Sequence, residues 1–288
     1  MPRMVIAGCG FVGLATARVF HGAGWEVLGL THSPESAAAL GGENFPVAAC
    51  DISDADAVRG IAAQFGKKAD AVIHCASSGR GGADAYRSVY LEGARNLLDA
   101  FATARLIFTS STSVYAQTDG AVVNEDSPAE PPRETGHILR ETEDIVLARG
   151  GIIARLAGIY GPGRSVLLRK FFSGEAIIEG DGARIVNQVH RDDIASALRV
   201  LIAKCATGIY NISDDAPMPQ REIYAWLAQR FARPLPPTGP IDPNRKRGWT
   251  SKRVSNAKLR ALGWSPMFPS FFDAVERQPK LVKLACEN

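Results

Sequence analysis

The stretch Met4-Val5-Ile6-Ala7-Gly8-Cys9-Gly10-Phe11-Val12-Gly13-Leu14 decides the fold. A short apolar run breaks into Gly-x-Gly-x-x-Gly and resumes as the helical pattern Leu14, Ala15, Val19, Phe20, which reads as strand, tight turn and helix. Each glycine has its own task in such a turn. Gly8 permits the bend, Gly10 removes a side chain where a pyrophosphate approaches, and Gly13 lets helix pack closely on strand. The helix that opens at Phe11 and Val12 aims its free N–H groups and positive dipole end at the phosphates. Dinucleotide binding is therefore the expectation; the rival is a glycine-rich turn that only packs helix on strand.

The rhythm continues outward from this unit. Strand-like runs at Met4–Ala7, Glu26–Leu30, Val47–Cys50, Ala71–Cys75, Leu106–Ser110 and Gly151–Arg155 alternate with helical patterns near Val12–His21, Pro34–Leu40, Ala55–Phe65, Tyr86–Ala102 and Glu134–Ala148. Such alternation predicts an α/β fold with a Rossmann-type, doubly wound parallel sheet. After Tyr160 the pattern changes to a Gly161-Pro162-Gly163 turn and proline clusters at Pro217/Pro219 and Pro234–Pro243. We read a dinucleotide-binding domain over residues 1–160, with 187–205 returning to it, and a smaller C-terminal substrate-binding lobe over 161–288.

Bulk properties narrow the function. With 288 residues, 46% hydrophobic and 22% charged, the chain has ordinary globular composition, which excludes disordered and fibrous classes. No apolar run approaches the roughly 20 residues of a membrane helix, and the first residues enter a strand directly, so a cytoplasmic protein without a membrane partner is expected. Five scattered cysteines without C-x-x-C spacing suggest neither a disulfide framework nor a metal site. A net charge of +3 suits phosphate-bearing small molecules and is far from the footprint of a nucleic-acid binder. The dense cationic patch Asn244-Arg245-Lys246-Arg247 reads as a solvated loop, with diphosphate contact as the alternative.

The cofactor end offers further residues. The second strand runs out at Thr31-His32-Ser33, where an acidic residue would accept hydrogen bonds from the ribose of NAD. No acid is there, and these three side chains could instead donate to a 2′-phosphate, which favours NADP over NAD. Ser33 before Pro34 also reads as a helix N-cap. Asp51-Ile52 could hold the adenine amino group and ring, although Asp51 could equally be an N-cap. Cys75-Ala76-Ser77 places small residues where backbone passes close to the cofactor, while His74 reads as a packed strand residue.

Several motifs resemble the extended short-chain dehydrogenase/reductase superfamily, in its NAD-dependent epimerase/dehydratase family. They are Phe108-Thr109-Ser110-Ser111-Thr112-Ser113-Val114-Tyr115, Arg155 followed by Tyr160-Gly161-Pro162-Gly163, Val189-His190-Arg191-Asp192-Asp193, Tyr210-Asn211-Ile212 and Leu262-Gly263-Trp264. The resemblance implies that Ser111 hydrogen-bonds the substrate's reacting oxygen. It also implies a tyrosine and a lysine one helical turn apart, the cation lowering the phenol's pKa. That pair is absent here. With Glu143 matching the family's later glutamate, Thr135 takes the tyrosine slot and Leu139 the lysine slot. A rival register offers His137, which the apolar stripe Ile138, Leu139, Thr142, Val146 turns to the opposite side. Gly158 and Tyr90 stand where the family commonly has asparagines. The chain is more similar to the superfamily's atypical branch, where the pair is often missing.

Two functions are compatible with these residues. One is an NAD(P)-dependent epimerase, dehydratase or reductase acting on a nucleotide sugar or similar carbonyl or hydroxyl compound, with Ser111 and Thr135 as catalytic candidates and Ser113 or Tyr115 as further proton relays. The other is a catalytically silent NAD(P)-binding sensor or partner-binding protein. The resemblance also implies a homodimer through the helices Tyr86–Ala102 and Glu134–Ala148.

Overall fold

The computed structural model describes residues 1–65, 69–79, 81–242 and 249–286. Five strands, β1 (Arg3–Ala7), β2 (Glu26–Thr31), β3 (Val47–Ala49), β4 (Ala71–His74) and β5 (Arg105–Ser111), alternate with α1 (Phe11–Gly22), α2 (Pro34–Ala38), α3 (Ala55–Phe65), α4 (Ala83–Tyr86) and α5 (Gly93–Ala100). The helices α6 (Glu134–Ala148), α7 (Val166–Phe172) and α8 (Arg191–Ala203) follow. With Ile152–Leu156 and Gly208–Ile212 the strands form one seven-stranded sheet in the order Gly208–Ile212, Ile152–Leu156, β5, β4, β1, β2, β3. Every pair in it is parallel.

The sheet is covered on both faces, which is why β1 beyond Arg3, β4 and Ile152–Leu156 are buried continuously rather than alternately, mostly with apolar residues, His74 and Arg155 being the buried polar exceptions. On one face Val58, Leu97, Phe101, Ile138, Leu139 and Val146 pack from α3, α5 and α6. On the other, Ala17 and Phe20 of α1 meet Leu198 and Leu201 of α8. The order of strands reverses between β1 and β4, so a crevice opens beyond their carboxyl ends.

Two elements differ from the sequence reading. Beyond the return expected at 187–205, Gly208–Ile212 also joins the sheet as its edge strand, pairing Tyr210 with Ala154. The expected helix Tyr86–Ala102 is three pieces: α4, a π-helical segment Arg87–Glu92, and α5. Apolar spacing fixes a helix but does not distinguish i+4 from i+5 hydrogen bonding.

The remaining chain builds a second core in which Tyr160, Leu168, Phe171, Tyr224, Leu227 and Phe271 pack together. It is tied to the sheet through the start of α8. Asp193 accepts from the backbone N–H groups of Met267 (2.5 Å) and Phe268 (3.2 Å), and buried His190 pairs with Gln278 at 2.9 Å. Among the described residues no helix is long and apolar enough to cross a membrane. The segment Asn244–Arg247 lies outside the described residues.

Candidate active site

The three motif glycines meet three different surroundings. Gly8 has φ +93°, and a Cβ there would stand 2.2 Å from the Ala76 nitrogen. At Gly13 a Cβ would stand 2.1 Å from the Gly8 carbonyl oxygen, so only glycine lets α1 rest on the turn. At Gly10 an added Cβ would meet nothing within 4 Å. The space beside Gly10 is open. Gly10 also caps α1 without a side chain, and Leu14 N–H is the first to reach back to its carbonyl, at 2.8 Å. The N–H groups of Phe11, Val12 and Gly13 thus precede any intrahelical acceptor and face an anion's position. A dinucleotide diphosphate fits this arrangement.

A cleft of about 560 Å³ runs from this turn across the carboxyl ends of β2, β4 and β5. Of the residues expected at a cofactor, Gly8, Gly10, Phe11, Val12, Thr31, His32, Cys75, Ala76 and Ser77 line it, as does Ser111. Gly13 lies beneath it. Ser33, Asp51, Ile52 and Thr135 are not among its lining residues, each for a visible reason. Ser33 caps α2, its Oγ accepting from Ser36 N–H at 3.3 Å. Asp51 accepts from the N–H (2.9 Å) and hydroxyl (2.7 Å) of Ser53. Ile52 packs its side chain under Gly93, and its carbonyl accepts from Asn96 at 2.9 Å.

No carboxylate lines the cleft among the described residues. Cys9 is buried in its wall, and burial pushes its thiol up to about 11, so it stays neutral. The charge that does approach is positive. Arg164, on the turn after Gly161-Pro162-Gly163, lines the cleft with its guanidinium 5.4 Å from the Phe11 ring, and Arg191 lies 5.0 Å from the same ring.

At the other end Ser111 closes β5, its Oγ accepting from Ser113 N–H at 3.2 Å. Beneath it runs a buried chain of bonds. Ser110 donates to Glu143 (2.6 Å), Arg155 donates to both Glu143 oxygens (3.0 and 2.6 Å) and to the Tyr115 hydroxyl (2.9 Å), and Tyr115 donates to Asn211 (2.9 Å). Tyr115 is thereby fixed inside the protein, 0% exposed, and is removed from the proton relays. Thr135 borders a small adjoining void with Ser113, Pro131 and Gly136, and Tyr86 and Leu139 line both that void and the cleft. His137 is exposed. Tyr86 and Tyr90 line the cleft near Leu139.

The family model for the NAD dependent epimerase/dehydratase family matches residues 4–213. The chain belongs to this family. It is 33% identical over 244 residues to protein YeeZ of Escherichia coli K12, covering 80% of this chain and 84% of that one. It is 28% identical over 213 residues to a 3-diazoavenalumate denitrifying reductase of a Streptomyces species, covering 65% and 70%. Among solved structures, the UDP-glucose 4-epimerase of Thermus thermophilus in complex with NAD superposes with a TM-score of 0.82 at 20% identity, over 99% of each chain.

Within a family built around NAD, the residues missed from sequence are informative. Ser36, Ala39 and Leu40 enter the cleft because α2 begins at its rim. Tyr86, Leu139 and Arg164 come from three distant segments whose convergence no local pattern reports. Tyr90 is different: its departure from asparagine was already visible in the sequence.

Proposed function

We propose that this family member uses a nicotinamide dinucleotide, NADP in preference to NAD, to reduce a small, largely apolar carbonyl compound. When bound, a reduced nicotinamide supplies hydride; the protein's part is to hold, orient and polarise. The Gly8–Gly13 turn and the N-terminus of α1 would hold the diphosphate. Thr31, His32 and Ser36 would surround the adenosine ribose, and with no carboxylate among the described lining residues, Asp51 standing outside them 3.8 Å from His32 Nδ1, their hydroxyls and imidazole suit a 2′-phosphate. Ser111 would donate a hydrogen bond to the carbonyl oxygen.

The observation that carries the reading is the composition of the reacting end. Epimerisation and dehydration begin with oxidation of a hydroxyl, which needs a base to take its proton. Neither a carboxylate nor a lysine lines the cleft among the described residues, and Leu139 occupies a wall position on α6. Reduction makes the opposite demand. The carbonyl oxygen gains electrons and takes up a proton, so a neutral hydroxyl donor is sufficient. The rings of Tyr86 and Tyr90 with Leu139 and Leu156 give the substrate a largely apolar wall, with a few hydroxyls, Ser111 among them, to orient it. The Streptomyces relative is a reductase, which supports the same direction.

The test is loss of nicotinamide absorbance when the pure protein is mixed with NADPH and a panel of aromatic aldehydes, enones and quinones, beside UDP-glucose. Oxidation with one of the carbonyl compounds is expected, with UDP-glucose inert. Interconversion of UDP-glucose with its C4 epimer would overturn the reductive reading. NADPH binding without consumption by any compound would leave the chain a silent sensor.

A further inference from the structure

The π-helical segment Arg87–Glu92 comes after β4 and carries Tyr90 to the cleft. π turns are rare, and they recur at functional sites because the wider turn re-aims neighbouring side chains. Here the turn is anchored from below. His74, the last residue of β4, is 0% exposed and bonds through Nε2 to the Val89 carbonyl at 3.1 Å. A carbonyl only accepts, so Nε2 carries the proton. Burial pushes this imidazole down to about 4, so the donor stays in place at neutral pH. Gly93 closes the segment, where a Cβ would stand 2.8 Å from Ile52 Cδ1.

The ring of Tyr90 is boxed on three sides. It stacks on His74 at 6.2 Å, meets Phe108 edge-on at 5.9 Å and meets Tyr86 edge-on at 4.9 Å. Its hydroxyl has no hydrogen-bond partner among the described residues and is not among the atoms sealed from solvent. A tyrosine 7% exposed, with its ring held and its hydroxyl open to the cleft, is a donor waiting for an acceptor.

We propose that Tyr90 is the proton donor of this site, a catalytic residue supplied by the π segment, with His74 as its positioning residue. The inference rests on the reductive reading above and deepens it. The substrate's carbonyl carbon gains the hydride of the reduced dinucleotide and its π pair moves to oxygen. That oxygen takes the Tyr90 proton, giving the alcohol and the oxidised dinucleotide, and the phenolate recovers a proton from water at the cleft mouth. Ser111 polarises the same oxygen from the β5 side.

The test compares the wild type with Tyr90→Phe, which keeps the ring and its three neighbours. The probe is 4-(dimethylamino)cinnamaldehyde, whose visible band moves to longer wavelength when its carbonyl oxygen accepts a strong hydrogen bond. It is bound beside a tetrahydro analogue of NADPH that donates no hydride. The wild type is expected to shift the band and Tyr90→Phe to bind the probe without shifting it. With NADPH itself, the variant should lose about 100-fold or more in kcat, with KM little changed, as removal of a general acid does. A full band shift and unreduced kcat in Tyr90→Phe overturn the assignment while leaving the reductase reading intact. Loss of the shift in Tyr86→Phe in place of Tyr90→Phe overturns it equally. A wild type that neither shifts the probe nor oxidises NADPH with any carbonyl compound overturns both.

Discussion

Alanine at Gly10 should separate cofactor binding from folding. An added Cβ meets nothing within 4 Å in the protein, and φ there is −98°, on the negative side that L-residues occupy. The cost to stability is that of alanine replacing glycine at an N-cap, about 0.5 kcal/mol, or a fall in Tm of about 1–2 °C. The same Cβ occupies the open space beside the free N–H groups of α1. Hydrogen bonds from N–H to a charged phosphate are worth about 1.5–3 kcal/mol each. Losing two costs about 3–6 kcal/mol, a fall in affinity of at least about 100-fold. Gly13→Ala should do the reverse. Its Cβ lies 2.1 Å from the Gly8 carbonyl oxygen, and overpacking of this kind costs about 1–3 kcal/mol, seen as a clear drop in Tm. Thermal denaturation followed by circular dichroism and NADPH binding followed by its fluorescence measure the two effects independently. Gly10→Ala protein that binds NADPH as tightly as the wild type would refute the phosphate seat. A Gly10→Ala protein that fails to fold would refute the reading of Gly10 as sterically free.

The same geometry has further consequences. Thr31→Asp places a carboxylate at the end of β2, where none lines the cleft, and should turn preference from NADPH to NADH by at least about 100-fold, since the new charge repels a 2′-phosphate and accepts from ribose hydroxyls; comparative titration of the two cofactors checks it. Arg155→Met removes two charged hydrogen bonds from the buried Glu143 carboxylate, which keeps Arg140 and Ser110, and should cost about 3 kcal/mol in urea denaturation, with part recovered in Arg155→Met/Glu143→Leu. His74 is held neutral, its imidazole pushed down to about 4 from the 6.5 of a free histidine. The unfolded chain therefore binds the proton more tightly, and the associated stability, about 3 kcal/mol, is fully present above pH 6.5 and is lost as pH falls toward 4. Denaturation of the wild type and His74→Gln across that range should show a loss larger by about 3 kcal/mol in the wild type, since buried His190, also pushed down by burial, contributes to both.

How far the sequence reaches depends on whether a feature is local. The glycine turn was legible because three backbone constraints sit within six residues, and each left its mark on residue type: a positive φ at Gly8, an open approach at Gly10 and a helix contact at Gly13. The parallel sheet was legible because strands buried on both faces are mostly apolar, with the buried His74 and Arg155 too few to break the runs. The edge strand Gly208–Ile212 was not placed, since its partner Ile152–Leu156 is some fifty residues away and no turn connects them. Thr135 was expected at the cleft from its register on α6. The structure places it in the small adjoining void beside Pro131 and Ser113, with Leu139 lining both that void and the cleft. Tyr115 carried the right chemistry for a relay, yet the Arg155 guanidinium and Asn211 amide already hold its hydroxyl. Asp51 is held by its near neighbour Ser53 and Ile52 by Asn96, 44 residues further on, and periodicity ranks neither partner.

The central claim is that the carboxyl end of this sheet seats one nicotinamide dinucleotide on the bare start of α1. Native mass spectrometry of the unmodified protein with NADP(H) measures this directly. The account predicts a single adduct of one dinucleotide per chain, absent from Gly10→Ala protein under the same conditions. An unshifted mass across the full titration with both NADP(H) and NAD(H) would contradict it.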